Sequence, residues 1–314
     1  MGNRWIEISL SVDGELAEAV AEVLARYLPN GIVIESTAIE NTPDLSTRVP
    51  VGPLKVWGYL PVDDELEEKR RQIEEALWYL GRIQPLPAPK YTTIQEANWM
   101  EAWKERYQPI LIGQNLVIVP AWMDSPTPDR IAVHIDPGMA FGTGTHPTTQ
   151  LCLEILEFEI HQGLTLHVPP QAVSIIDIGC GSGILSIAAL KMGAANALGV
   201  DTDAEAIKAA HENAKLNGIK HGLRLGVGSL ADIQNGTFGD KQAALVVANI
   251  LAPVIVRLLQ GGLAHLISFG GKLILSGILD TQEPEVEAAV HESGMQMVGR
   301  YQSADWVALV AAND

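Results

Sequence analysis

The sequence is poor in the features that announce a metal site, a membrane or an oxidising compartment. Only two of its 314 residues are cysteine, Cys152 and Cys180. Their spacing suits neither a metal site nor a disulfide, which fits a reducing compartment. No apolar run is long enough to span a bilayer. The longest, AALVVANILAPVIVRLL, is broken by Asn249, Pro253 and Arg257. The opening residues, MGNRWIEISL, lack the apolar core of a signal peptide. There is no internal repeat and no low-complexity segment. These absences place the chain in the cytoplasm, with no membrane partner.

Positive charge is scarce as well. There are 21 Lys and Arg against 38 Asp and Glu, a formal net charge of −17. The excess is spread along the chain, with 9 basic and 15 acidic residues in 1–90 and 12 and 23 in 91–314. A chain with no basic run is a poor match for a phosphate backbone, so no direct nucleic-acid binding is expected. Its field attracts a basic partner instead.

What is present is a globular composition, 47% hydrophobic and 19% charged, at a length that suits two domains. The first part alternates short elements. WIEISL (Trp5–Leu10), GIVIES (Gly31–Ser36), LKVWGYL (Leu54–Leu60) and YTTIQ (Tyr91–Gln95) read as strands. GELAEAVAEVLARYL (Gly14–Leu28) and DDELEEKRRQIEEALWYLG (Asp63–Gly81) read as helices, the second acidic at its start and ended by glycine. The order β-α-β-β-α-β is that of a small α+β ferredoxin-like domain. NWMEAWKERY (Asn98–Tyr107) sets Trp99 and Trp103 on one face of a helix.

From Pro147 the pattern changes to buried strands alternating with helices. SIIDIG precedes GILSIAALKMG, ALGVD precedes AEAIKAAHENAKLNG, and LRLGVG follows. ALVVAN then precedes APVIVRLLQGGLAHL, and GKLILSG precedes EPEVEAAVHESG. This is the signature of an α/β fold with a doubly wound, Rossmann-like parallel sheet. MQMVGRYQ and DWVALVAA, with only a short polar break between them, predict a C-terminal antiparallel hairpin at one edge.

Three strand ends carry the chemistry. SIIDIGCGSG ends a buried strand at Asp177 and follows it with Gly179, Gly181 and Gly183. Glycines at such a turn let a ligand approach with no Cβ in the way. The dinucleotide spacing G-x-G-x-x-G fails here, because its last position falls on Ile184 or its third on Ser186. What remains, D-x-G-x-G-x-G, resembles the first motif of class I S-adenosylmethionine-dependent methyltransferases. Asp201 ends the second strand in ALGVDTD, where a carboxylate can accept from both hydroxyls of a ribose. The helix N-cap there falls to Thr202 or Asp203. After the third strand, Leu230 and Asp232 of GSLADIQ are candidates to hold the adenine. Asn249 ends the fourth strand in VVANILAP. It offers an oxygen acceptor to an attacking amine, without the Pro-Pro-aromatic sequence that would stack a flat base. That favours an aliphatic amine over a nucleobase.

The loop DPGMAFGTGTHPTTQ (Asp136–Gln150) leads into a helix opened by Pro147. Its glycines allow closure, and its threonine hydroxyls and helix N-terminus suit the carboxylate at a cofactor's methionine end. Phe141 and Thr145 are further cofactor candidates from this loop. DPGMAFGTGTHPTTQLCLEIL, DIGCGSGILSIAALKMGAA and ANILA together resemble the bacterial methyltransferase family that modifies large-subunit ribosomal protein eleven. The resemblance covers nearly the whole chain and is densest from Tyr107 to Pro253.

The resemblance implies S-adenosylmethionine as cofactor, with contacts at Thr149, Gly179, Asp201 and Asn249. It implies lysine ε-amines and the N-terminal α-amine of that basic ribosomal protein as targets. It also implies three parts: a substrate-recognition domain at 1–95, a linker helix at 96–110 and a methyltransferase domain at 111–314. The linker is expected to let the catalytic domain swing among several amines, and the protein to act as a monomer. His146 reads as structural rather than as a base, and no metal is expected. Two rivals stand beside this reading: a class I methyltransferase acting on RNA or a small molecule, and a non-catalytic binding protein that kept the fold.

Overall fold

The computed structural model describes residues 5–12, 14–28, 32–36, 54–63, 65–82, 85–94, 108–136, 142–163, 173–239 and 241–313. The chain divides into two compact units, Met1–Tyr107 and Gln108–Asp314. The helix expected at Asn98–Tyr107, with Trp99 and Trp103, lies outside the described residues.

The first unit holds β1 (Trp5–Val12), α1 (Gly14–Ala25), β2 (Ile32–Ser36), β3 (Leu54–Pro61), α2 (Leu66–Gly81) and β4 (Lys90–Ile94). Its sheet runs β2-β3-β1-β4, antiparallel throughout. This is the order the sequence predicts for a ferredoxin-like arrangement. Alternation along β1 decides which side is dry: Ile6, Ile8, Leu10 and Val12 join Val20 and Leu24 of α1 and Ile73 and Leu77 of α2 in one core. On the other side of β1 sits the buried carboxylate of Glu7, which Lys55 of β3 meets at 3.0 Å.

The second unit is built on a seven-stranded sheet. Its strands are β8 (Ser174–Ile178), β9 (Asn196–Asp201), β10 (Leu223–Val227), β11 (Ala243–Asn249), β12 (Ile267–Leu279), β13 (Gln296–Ser303) and β14 (Trp306–Ala312). Their spatial order is β10-β9-β8-β11-β12-β14-β13. The first five are parallel, while β14 lies antiparallel between β12 and β13 and closes the edge as a hairpin. Helices cover both faces: α3 (Pro147–Phe158), α4 (Ile184–Lys191), α5 (Ala204–Leu216), α6 (Leu230–Asn235), α7 (Ala252–Gln260) and α8 (Glu283–Glu292). Alternate residues of one strand enter different cores. Ile175 packs with α3 and α4, whereas Ile176 and Ile178 pack with α6, α7 and α8.

Two features depart from the sequence reading. The apolar stretch from Ala252 to Leu266 is not one helix. α7 stops at Gln260, and Gly262, at φ +90°, turns the chain into a short 3-10 segment at Leu263–Leu266. A three-stranded sheet also precedes α3 and has no counterpart in that reading: β5 (Ile110–Ile112), β6 (Leu116–Pro120) and β7 (Ile131–Ile135). Its tight turn is held by Glu157 of α3, whose carboxylate accepts from Gln114 N at 2.9 Å and Asn115 N at 2.5 Å. Asn213 of α5 and Asn217, which caps that helix, fasten the sheet's last strand: Asn213 Oδ1 accepts from Asp136 N, and Asn217 bonds both the N–H and the carbonyl of His134.

Candidate active site

The strand order reverses between β8 and β11, and in open α/β sheets a ligand sits beyond the carboxyl ends of the strands at such a point. The residues that end β8, β9 and β11 are those the sequence singles out. β8 passes into a turn in which Gly179, Gly181 and Gly183 all have positive φ, at +72°, +51° and +77°. The space around two of them is tight. A Cβ on Gly179 would stand 2.6 Å from Ile250 Cγ2, and one on Gly183 would stand 2.9 Å from Ala210 Cβ. Conformation and room therefore both require glycine there.

Asp201, ending β9, ties this turn to its own strand. Its Oδ2 accepts from Gly181 N and its Oδ1 from Asp203 N, each at 3.0 Å. A carboxylate has about four lone-pair directions, so two remain for a ribose. Asp203 is the N-cap of α5 and accepts from Glu205 N at 2.9 Å. Asp177 is buried one residue before the end of β8. Ser186 of α4 donates to its Oδ2 at 2.8 Å. Burial nevertheless pushes its carboxyl up to about 7, and the nearby Asp201 charge adds to the rise.

Asn249 ends β11 on the same side of the sheet as Asp177. Its Nδ2 donates to Thr149 Oγ1 at 3.3 Å, which leaves Oδ1 as the acceptor end. Thr149 is fully buried in the first turn of α3. In the structure, then, its hydroxyl serves Asn249. Ahead of it, the described end of the glycine–threonine loop is fastened at several points. Ser182 Oγ, inside the glycine turn, donates to Gly142 O at 2.6 Å. Gly144 packs so closely on β6 that a Cβ would meet Ile118 Cγ2 at 3.0 Å. Gln150 Nε2 donates to the carbonyls of Gly144 and Thr145, and the Thr143 and Thr145 hydroxyls bond each other at 2.8 Å. Phe141 lies outside the described residues.

His146 is the N-cap of α3. Its Nδ1 lies 2.7 Å from Thr148 Oγ1, and its ring meets Trp306 edge-on at 4.8 Å. Burial lowers its pKa to about 4, so at neutral pH it is an uncharged ring and a weak base. After β10, Asp232 accepts from both the hydroxyl and the N–H of Ser229, the N-cap of α6, at 2.8 Å; as its capping-box partner Asp232 has its pKa lowered by those bonds. The Leu230 side chain belongs to the core beside α6 and α7.

Sequence reasoning overlooks Ser182, Asn213 and Ile250. Asn213 Nδ2 donates to Ser182 O at 2.9 Å while its Oδ1 holds Asp136, so one buried side chain joins the glycine turn to the start of the loop. The only signal was a polar residue on the apolar side of a helix. Among the described residues no three His, Cys, Asp or Glu converge on a possible metal position, and no helix is long and apolar enough to cross a membrane. A hollow of about 410 Å³ lined by His211, Lys215, Lys220 and His221 sits where α5 leads into β10, at the amino ends of the strands, and shares no residue with this cluster.

Comparison with known proteins identifies the family. A family model described as ribosomal protein L11 methyltransferase matches residues 4–314. The ribosomal protein L11 methyltransferase of Chloroflexus aurantiacus is 40% identical, with 98% of this chain and 97% of that protein aligned. That of Herpetosiphon aurantiacus is 38% identical, over 97% and 98%. Among solved structures, the ribosomal protein L11 methylase from Lactobacillus delbrueckii subsp. bulgaricus superposes with a TM-score of 0.57 at 35% identity, covering 66% of this chain and 100% of that one.

Proposed function

Since the chain belongs to the ribosomal protein L11 methyltransferase family, we propose that it transfers methyl groups from S-adenosylmethionine to lysine ε-amines and the N-terminal α-amine of ribosomal protein L11. The reading places it in the cytoplasm as a monomer. One observation carries the assignment: the glycine turn, the Asp201 carboxylate and the Asn249 amide meet at the carboxyl ends of three neighbouring strands.

The residues present fit the cofactor. The turn presents bare backbone at three positive-φ glycines, and Asp201 keeps acceptor capacity for two ribose hydroxyls. Gly179, Gly181, Gly183 and Asp201 would hold the methionine and ribose parts, with Thr145 and Thr149 toward the carboxylate end and Leu230 toward the adenine. When bound, S-adenosylmethionine supplies an electrophilic methyl group on a sulfonium.

The chain's own part is to present a neutral amine in line with that methyl group. A lysine amine has a pKa of about 10.4 and an α-amine about 7.7–8.0, so the lysine is mostly protonated at neutral pH. Asn249 orients the amine by accepting a hydrogen bond at Oδ1, and being uncharged it stabilises the ammonium less than a carboxylate there would. His146, whose pKa burial lowers to about 4, is uncharged at neutral pH and adds no positive charge there. The amine sheds its proton to solvent before attack. The first unit, with its own core and sheet, is the part proposed to recognise the basic substrate.

The test is peptide mass spectrometry on ribosomal protein L11 after incubation with this protein and S-adenosylmethionine, beside an Asp201→Ala control. Whole-methyl mass gains on lysines and the N-terminus, absent in the control, are the expected result. No gain despite intact cofactor binding would overturn the substrate assignment.

A further inference from the structure

Ile250, directly after Asn249, stands between glycines contributed by the strands on either side of β11. Toward β8, a Cβ on Gly179 would reach within 2.6 Å of Ile250 Cγ2. Toward β12, Gly277 has φ +86°, and a Cβ there would overlap Ile250 O and stand 2.8 Å from its carbonyl carbon and 3.0 Å from its nitrogen. Heavy atoms in comfortable contact stand about 3.5–4.0 Å apart, so neither glycine tolerates a methyl group while Ile250 stays in place.

Two further contacts fix the segment. Ile250 N donates to Ser276 O at 3.0 Å, and Ser276 is the β12 residue paired with Asn249. The pairing of β12 with β14 slips in register between Leu275 and Ile278, so Ser276 and Gly277 form an irregularity facing Asn249 and Ile250. Such bulges re-aim a strand locally.

We propose that Ile250 is a positioning residue for methyl transfer: held between Gly179 and Gly277, it sets the distance between the Asn249 acceptor and the glycine turn. This rests on the reading that the turn holds the methyl donor and Asn249 the amine. Gly277 lies on the far side of Ile250 from the turn and acts only through it. A shift of about 1 Å at the reacting atoms can cost on the order of 10²-fold in rate. The grip on Ile250 is therefore a rate determinant rather than a binding one.

The experiment measures kcat and S-adenosylmethionine affinity separately on the full chain. A wild-type protein that transfers no methyl group would overturn the functional reading and this inference together; an active wild type isolates the inference. Gly277→Ala is expected to lower kcat at least about tenfold with the cofactor Kd within about threefold of wild type. An unchanged kcat, or kcat and affinity falling in step, would sink the proposal. A double-mutant cycle of Gly179→Ala and Ile250→Ala tests the other side, since Ile250→Ala removes the Cγ2 that a Cβ at 179 would strike. The loss from Gly179→Ala should be at least about threefold smaller in the Ile250→Ala background, and independent losses would show that Ile250 does not set the turn.

Discussion

Thr149 and Asn249, a hundred positions apart, meet through a 3.3 Å hydrogen bond from the asparagine amide to the threonine hydroxyl. The bond joins the first turn of α3 to the end of β11, and it decides which end of the Asn249 amide is left for a substrate. Thr149→Val removes the acceptor while keeping the volume. It should lower kcat about tenfold and cost about 1 kcal/mol of stability, because Asn249 loses its partner. Thr149→Ser should retain most of both. Steady-state kinetics and denaturant unfolding on the three proteins give the answer.

Asn249→Asp puts a negative charge where the amine must lose its proton. An opposite charge within a few ångströms favours the ammonium. The apparent pKa in the pH–rate profile of the variant should move upward by about one unit, and activity at neutral pH should fall more than activity at alkaline pH. A profile merely scaled down, with its midpoint unmoved, would argue against an amine at this position.

Asp201→Asn retains a carbonyl acceptor but loses the charge shared among Gly181 N, Asp203 N and the proposed ribose. Hydrogen bonds to a charged group contribute about 1.5–3 kcal/mol, so S-adenosylmethionine affinity should weaken roughly 10- to 100-fold. Isothermal titration calorimetry on the variant and the wild type reads this directly.

Asp177 and His146 impose opposite pH dependences on stability. The Asp177 carboxyl rises from 3.8 to about 7 in the folded protein, so the fold holds that proton more tightly than the unfolded chain does. Its contribution is full below the unfolded pKa and is lost as pH rises to about 7. His146 falls from 6.5 to about 4, so its contribution is present above 6.5 and is lost as pH drops toward 4. Asp177→Asn should therefore leave a protein whose stability climbs with pH across this window, whereas in the wild type the two trends oppose each other. Urea unfolding at a series of pH values between about 4 and 8 checks the sign.

Asn213 is buried and bonds at both ends of its amide, to Asp136 N and Ser182 O. Asn213→Ala leaves a part-buried donor and a buried acceptor without partners and should destabilise the second unit by about 2 kcal/mol. Asn213→Asp, which sets a buried carboxylate oxygen against Ser182 O, should cost at least as much at neutral pH. Thermal unfolding with and without S-adenosylmethionine measures the loss and tests whether it carries into the cofactor site.

Much of the architecture was legible because it is written in local periods. Alternation marks WIEISL and LKVWGYL as strands, and the unbroken run SIIDI is a buried strand ending in glycine. Those patterns locate Asp177, Asp201 and Asn249 at strand ends with no structure in hand. The three-stranded sheet of β5, β6 and β7 was not legible. Its strands are three to five residues long, too short for a period to stand out. They are secured from outside by Glu157, Asn213 and Asn217, which in sequence are an ordinary helical acid and two ordinary helical amides.

Hydrophobic period and glycine spacing are properties of neighbours along the chain, and they are enough to say which residues carry chemistry and at which strand ends they lie. What those residues touch is set by packing between elements far apart in the chain. Thr149, a candidate cofactor contact, also bonds Asn249, and Gly277 of GKLILSG lies against the backbone of Ile250. The first depends on how α3 packs against the end of β11, and the second on strand order and a one-residue irregularity in the pairing of β12 with β14. Such contacts join residues tens to a hundred positions apart, and the period of the chain does not encode them.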